Sequence, residues 1–90
     1  MKVLHKASLD WGMHTVYILR CSDGQFYTGC TSNLEARLKR HRNGEVKSTS
    51  YRRPLELETY IVFKDKYRAF AFEKYIKSGS GIAFRNKRLI

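Results

Sequence analysis

Residues 15–30 read TVYILRCSDGQFYTGC, and their pattern indicates how the chain begins to fold. Both of its ends are rich in β-branched and aromatic residues, as is typical of strands. Between them, Ser22-Asp23-Gly24 has the composition of a turn. The sequence therefore predicts a β-hairpin, with a first strand over 15–21 and a second over 25–30.

The length of the turn decides which side chains share a face of this hairpin. A two-residue loop would put Tyr17 and Tyr27 on opposite faces. A three-residue loop with Gly24 in the left-handed conformation puts Tyr17 opposite Gly29 and Tyr27 opposite Leu19. Both tyrosines then lie on one face, and the glycine leaves space beside the ring of Tyr17. A slip of one residue would reverse this arrangement, so the register is the hypothesis on which the predicted site rests.

The next segment carries the signals of an amphipathic helix. Ser32 is predicted as its N-cap, with Glu35 completing a capping box, and Asn43-Gly44 is a stop signal. At 100° per residue, one inward stripe collects four side chains. They are Leu34, Arg37, Leu38 and His41.

The rest of the chain completes a predicted α+β fold, in which a three-stranded antiparallel sheet is flanked by helices. Residues 44–54 are expected to form a polar loop and residues 57–63 a third strand. Asp65 is expected to cap a second helix, residues 78–81 to break it, and residues 82–90 to form a short basic helix or turn. Residues 1–14 are expected to be an arm that precedes a single domain over 15–90.

The charge balance points to a polyanionic partner. Eighteen Lys and Arg face eight Asp and Glu in 90 residues, a formal net charge of +10. Nucleic acid is the commonest partner of such a surface. An accidentally basic protein and a ribosome-surface binder are the alternatives that charge alone leaves open.

Several classes of protein are disfavoured by absent patterns. No run approaches the length of a membrane span and no signal peptide is visible, so a cytoplasmic protein without a membrane partner is expected. The two cysteines are expected to be reduced core thiols. The sequence has neither a phosphate-binding loop motif nor a credible zinc ligand set.

Five polar residues are predicted to face inward, which is unusual for a small core. They are Tyr17, Tyr27, Arg37, His41 and Glu73, the last within the apolar stripe of Ala69, Phe72 and Ile76. Each has a structural explanation of its own; Glu73, for example, would be satisfied by an ion pair with Arg37. Together they resemble a site that cuts phosphodiesters. A carboxylate suits Mg²⁺, a guanidinium suits phosphate, and a phenol or imidazole handles a proton.

Four segments also resemble, in order, the motifs of the GIY-YIG nuclease domain family. Residues 15–17 and 27–29 resemble its paired motif, and residues 30–37 the helix that carries its arginine. Arg37 and His41 fit the Arg-x-x-x-His spacing of many members. Residues 72–77 resemble the segment with its metal-binding glutamate. The similarity is greatest to the small stand-alone bacterial members of the UPF0213 type.

Two substitutions depart from the family pattern. Thr15 replaces the first glycine and Thr28 the second isoleucine, and both suit a strand. Tyr17, Tyr27 and Gly29 are kept. Some family members use a late asparagine near the site, and Asn86 lies in the corresponding region.

The resemblance implies an endonuclease that uses one divalent cation, Mg²⁺ or another such as Mn²⁺, held by Glu73. It implies that Tyr17, or His41 through it, takes the proton of the attacking water. Arg37 would stabilise charge on the phosphate and Tyr27 would position phosphate or water.

The expected substrate is DNA rather than RNA, recognised by structure rather than by sequence, in repair or recombination. A protein partner would supply further specificity. Basic residues are expected to hold the phosphate backbone; they are Lys39, Arg40, Arg42, Lys47, Arg52, Arg53 and Lys77. The alternative function is a non-catalytic DNA- or RNA-binding module that keeps the fold.

Overall fold

The computed structural model of the protein describes residues 13–90, so residues 1–12 of the predicted arm over 1–14 lie outside them, whereas His14 already belongs to the first strand. This part of the chain contains three strands and four helices. In chain order they are β1 (His14–Arg20), β2 (Phe26–Thr31), α1 (Leu34–Arg42), α2 (Lys47–Ser50), β3 (Glu56–Phe63), α3 (Lys66–Ile76) and α4 (Gly79–Arg88). The strands form one antiparallel sheet in the order β2-β1-β3. This confirms the predicted α+β class.

The hairpin has the three-residue turn that the sequence predicts. Gly24 has a φ of +81°, its N–H donates to the Cys21 carbonyl at 2.9 Å, and the Cys21 N–H donates to the Gln25 carbonyl at 2.8 Å. A left-handed residue at this position favours glycine because it has no Cβ. The resulting register pairs Tyr17 with Gly29 and confirms the predicted alignment of the two strands.

The central strand β1 is buried on both faces, so its two sets of side chains build two different environments. Val16 and Ile18 enter an apolar core with Ala69 and Ile76 of α3, in which all four are at most 2% exposed. Tyr17 lies on the opposite face, which α1 covers through His41. One strand thus supplies both the core that stabilises the fold and the polar site.

Helix α1 begins one residue later than predicted. Asn33, not Ser32, is the N-cap, and its side chain accepts a hydrogen bond from the Ala36 N–H at 3.0 Å. Thr31 Oγ1 fixes Asn33 by accepting from its N–H at 3.0 Å. Glu35 therefore falls at the second helical position, where it cannot complete the predicted capping box.

The predicted loop over residues 44–54 contains a one-turn helix, α2, which the sequence analysis missed. Gly44, with a φ of +75°, ends α1 and turns the chain back. The Arg53 side chain then ties the segment together, because it donates to the Ser50 and Arg42 carbonyls at 2.9 and 3.1 Å. The turn that results buries Thr49 completely.

Helices α3 and α4 form an angled pair at the C-terminal end. Asp65 caps α3 as predicted, and Ser78 caps α4 through the Gly81 N–H. Helix α4 thus begins at Gly79 rather than at Ile82, since the glycines form its first turn instead of a linker. A Cβ on Gly81 would lie 1.7 Å from the Tyr75 carbonyl, so glycine is what allows the two helices to approach.

Within residues 13–90, no helix is both long enough and apolar enough to cross a membrane.

Candidate active site

The site is built on the close approach of Tyr17 to the second strand. Tyr17 is fully buried, and a Cβ on Gly29 would lie 2.4 Å from its hydroxyl and 2.5 Å from Cζ. The ring therefore crosses β2 through the space that the glycine leaves. Any larger residue at position 29 would displace it.

Behind Tyr17, a chain of buried hydrogen bonds joins three elements. The Tyr17 hydroxyl lies 2.8 Å from His41 Nε2, and His41 Nδ1 lies 2.8 Å from Thr49 Oγ1. The Thr49 hydroxyl is also placed to donate to the Val46 carbonyl at 3.4 Å. Tyr17, His41 and Thr49 are each at most 1% exposed, so water does not compete for these bonds.

Burial keeps the first two members of this chain neutral. It raises the pKa of Tyr17 to about 12, although a hydrogen bond with Arg37 opposes the rise. It lowers the pKa of His41 below its ordinary value of 6.5, and the positive charges of Arg37 and Arg40 lower it further. A neutral phenol thus faces a neutral imidazole at pH 7.

Tyr27 closes the aromatic part of the site, on the same face of the hairpin as Tyr17. The two tyrosine rings lie 6.3 Å apart, and the Tyr27 ring contacts His41 edge-on at 5.2 Å. Tyr27 is only half-buried, whereas the other two rings are buried. It is therefore the aromatic group of the three that a substrate can touch.

Arg37 and Glu73 bring opposite charges to this cluster from helices α1 and α3. Both affect the pKa of Tyr17, which Arg37 lowers and Glu73 raises. Both also act on Cys30, where burial raises the pKa of the thiol, Glu73 adds to the rise, and Arg37 and Lys77 oppose it. The fold therefore brings together all five inward-facing residues predicted from the sequence.

The ion partner of Glu73 is not Arg37, the residue that a purely structural role of this glutamate would pair it with. Its carboxylate accepts from Lys77 Nζ, one helical turn later, at 3.0 Å, and the Glu73 side chain remains 23% exposed. No ion pair between Glu73 and Arg37 is present in the described part of the chain. The carboxylate thus reaches solvent, close enough to the buried phenol to raise the pKa of Tyr17, and does not neutralise the arginine.

The donor set is compatible with Mg²⁺ but not with a metal held by protein ligands alone. No group of three or more His, Cys, Asp or Glu side chains in residues 13–90 surrounds a common point. Mg²⁺ is commonly bound by one or two carboxylates, with water and substrate phosphate as the other ligands. Glu73 can supply the single hard oxygen that such a site needs.

The basic residues predicted to hold phosphates fall into two groups. Six of the seven are exposed, namely Lys39, Arg40, Arg42, Lys47, Arg53 and Lys77, although Arg40 pairs with Glu45 at 3.6 Å. Arg52 is instead engaged inside the fold, since it pairs with Asp23 of the hairpin turn at 2.9 Å and its side chain is 16% exposed. Arg53 braces α2, and Lys77 pairs with Glu73. For all seven, a contact with nucleic acid stays a prediction.

Asn86 lies on α4, where its side-chain oxygen accepts two hydrogen bonds from Arg85, at 3.1 and 2.8 Å. Asn86 therefore orients the guanidinium of Arg85.

Thr49 is the buried polar residue that the sequence analysis missed. It lies in a stretch rich in Lys, Ser and Thr, which is typical of a solvated loop. The one signal in the sequence was His41 itself, because a buried imidazole needs a partner for each ring nitrogen.

Comparisons with known proteins show the family to which the chain belongs. Residues 13–86 match the family model described as the GIY-YIG catalytic domain. A UPF0213 protein of Clostridium perfringens is 47% identical over 66 residues, which cover 72% of this chain and 71% of the relative. A UPF0213 protein of Staphylococcus saprophyticus is 39% identical over 77 residues, which cover 84% and 89%.

A solved structure is also similar to the chain. It is the solution NMR structure of a UPF0213 protein from Bacillus halodurans, which is 39% identical. The match covers 72% of this chain and 70% of that one, with a TM-score of 0.48.

Proposed function

Because the chain belongs to the GIY-YIG family, and within it to the small UPF0213 proteins, we propose that it is a metal-dependent endonuclease. The family is one of nucleases, so the partner is nucleic acid. The observation that carries the proposal is the bond between the Tyr17 hydroxyl and the buried, neutral imidazole of His41, with Arg37 and Glu73 beside it.

The high pKa of Tyr17 decides which group accepts the proton of the attacking water. With a pKa of about 12, only about one Tyr17 in 10⁵ is a phenolate at pH 7. A resting phenolate is therefore too rare to be an efficient base. Instead, Tyr17 passes its own proton to His41 Nε2 as it takes one from the attacking water, and no charged phenolate accumulates. Because the Tyr17 hydroxyl is buried in the free protein, this step requires substrate binding to bring that water into contact with it.

This transfer requires one tautomer of His41. The Thr49 hydroxyl donates to the Val46 carbonyl, so its oxygen is free to accept the Nδ1 proton of the imidazole. Nε2 is then left with a lone pair that accepts from Tyr17. In this proposal Thr49 positions the base without touching the substrate.

The charged residues act on the phosphate. Arg37 places a permanent positive charge next to the Tyr17 hydroxyl. The phosphate is proposed to bind at this position, so that the guanidinium stabilises the negative charge that develops on the phosphate during attack. Glu73 would hold Mg²⁺, or a similar cation such as Mn²⁺, which supplies further charge stabilisation when bound. For Glu73 to do so, the Lys77 ammonium must move aside, and a phosphate of the substrate would be its new partner.

The proposed substrate is DNA whose structure, rather than its sequence, is recognised. The exposed cations Lys39, Arg40, Arg42 and Lys47 can neutralise phosphates, and such contacts carry no base information. A protein partner that presents the substrate, and a role in repair or recombination, belong to the same proposal.

A second candidate, a binding module that keeps the fold without cutting, is favoured by one observation. The Glu73–Lys77 ion pair gives the carboxylate a purely structural partner.

A cleavage assay separates the two candidates. Purified protein is incubated with single-stranded, duplex, flapped and branched DNA, and with RNA of the same sequences, with Mg²⁺, Mn²⁺ or EDTA. The nuclease proposal expects cuts that require the cation and favour DNA. Binding to these substrates without cleavage under any cation would favour the binding module.

A further inference from the structure

A cleft of ≈ 340 Å³ lies along the second strand, beside the candidate active site. Strand β2 is at an edge of the sheet, so one side of it has no neighbouring strand. Helix α4 and the end of α3 form the other wall. The residues that line the cleft are Phe26, Tyr27, Thr28, Ile76, Lys77, Ile82 and Arg85.

Two of the lining residues join this cleft to the catalytic cluster. Tyr27 contacts the rings of both Tyr17 and His41. Lys77 forms the ion pair with Glu73. When a nucleic-acid strand places one phosphate between Tyr27 and Glu73, the adjacent nucleotide of that strand therefore lies next to this cleft.

The chemistry of the walls suits one kind of occupant. Two cations and no carboxylate line the cleft. Arg85 lies over the Phe26 ring at 5.3 Å, and Asn86 fixes its guanidinium with two hydrogen bonds. Ile82, 37% exposed, adds an apolar surface. Flat apolar and guanidinium surfaces stack on bases, and a cationic rim attracts phosphate.

We propose that this cleft binds an unpaired nucleotide adjacent to the scissile phosphate, with its base against Arg85 and Ile82. The proposal rests on the proposed function for the position of the phosphate, but its binding step does not require cleavage. A base inside a duplex is stacked and paired, so it must leave the helix to enter the cleft. The site thus favours substrates with single-stranded character, such as flaps and single strands, over intact duplex.

The test compares two arginines of α4 without any metal. Arg85 lines the cleft, whereas Arg88 is exposed on the same helix and is not a lining residue. Arg85→Gln and Arg88→Gln each remove one positive charge. Binding of a labelled oligothymidylate of about twelve nucleotides, and of a hairpin duplex of similar length, is measured for both variants. Melting temperatures establish that both are folded.

We expect Arg85→Gln to weaken binding of the single strand by about tenfold or more, with a much smaller effect on the duplex. Arg88→Gln should weaken both ligands slightly and equally, as a phosphate contact does. Ile82→Ala should repeat the selective loss without a change of charge. Equal losses for Arg85→Gln and Arg88→Gln on both ligands would overturn the proposal, even if the protein cuts DNA. A selective loss in a protein that cuts nothing would support the cleft and refute only the nuclease activity.

Discussion

The Tyr17 hydroxyl lies 2.8 Å from His41 Nε2, in a position with no access to bulk water. The two residues are 24 positions apart in the chain. Tyr17 belongs to strand β1, and His41 belongs to helix α1, which covers one face of the sheet. In the proposed mechanism, this bond lets the buried phenol pass a proton to the imidazole.

Removal of the Tyr17 hydroxyl tests this route. Tyr17→Phe should remain folded because the ring still packs, at a cost of about 1–3 kcal/mol for the bond lost to buried His41. Cleavage should fall by about 10²–10⁴-fold. Tyr60→Phe is the matched control, since Tyr60 pairs with Tyr17 across the sheet but is 55% exposed. Equal cleavage by Tyr17→Phe and the control would move the role to His41 or to bulk water.

The tautomer of His41 can be tested through Thr49. Thr49→Val keeps the shape and removes the hydroxyl, so it should lower the free energy of unfolding by about 1–3 kcal/mol and reduce cleavage. Thr49→Ser should restore the Nδ1-protonated tautomer, which ¹⁵N NMR of the imidazole reports. Ser48→Ala, at an exposed neighbour, is the control. An unchanged tautomer in Thr49→Val would contradict the assigned role.

Two glycines give a matched test of the space beside Tyr17. At Gly29 a Cβ would overlap the Tyr17 ring, so Gly29→Ala should destabilise the protein by about 1–3 kcal/mol and abolish cleavage. At Gly79, apart from its chain neighbours and the backbone of its own helix, a Cβ would meet no atom of residues 13–90 within 4 Å, and Gly79→Ala should be neutral or stabilising by up to about 1 kcal/mol. Thermal melting of the two variants measures this difference in stability. Similar melting temperatures would show that the Tyr17 ring can move away from the added Cβ.

The lowered pKa of His41 predicts how stability depends on pH. Between the folded pKa and the ordinary value of 6.5, the unfolded chain binds more protons than the folded one, so the free energy of unfolding rises with pH. The stability due to neutral His41 is complete above 6.5 and is lost as the pH falls through the folded pKa. Melting temperatures should therefore fall on acidification, and less steeply in His41→Asn. Parallel curves for the two proteins would contradict a lowered pKa.

The features that sequence predicted correctly depend on local chemistry. The Ser22-Asp23-Gly24 turn fixes the register of the hairpin, and the register places Tyr17, Gly29 and Tyr27 together. Helical periodicity then turns Arg37 and His41 inward, and the family motifs support the same residues.

The features that it missed depend on contacts between distant segments. Thr49 is buried because Arg53 closes a turn of helix that local propensity does not favour. The ion pair of Arg52 was also not expected, because its partner Asp23 lies 29 residues earlier in the chain. Helix α4 begins early because Gly81 can pack against the Tyr75 carbonyl, a contact that no sequence periodicity reports.

The role of Glu73 in metal-dependent cleavage is tested by Mg²⁺-dependent cleavage and thermal melting of Glu73→Gln beside Glu58→Gln. The two glutamates are matched, because their side chains are 23% and 24% exposed and each pairs with one basic residue. We predict that Glu73→Gln melts like the control, keeps metal-free DNA binding and loses cleavage, whereas Glu58→Gln cuts normally. The contradicting result is a Glu73→Gln variant that cuts as fast as the parent. A second contradicting result has two parts. The parent cuts nothing with any divalent ion, and Glu73→Gln melts well below Glu58→Gln. That result would favour the binding module over the nuclease.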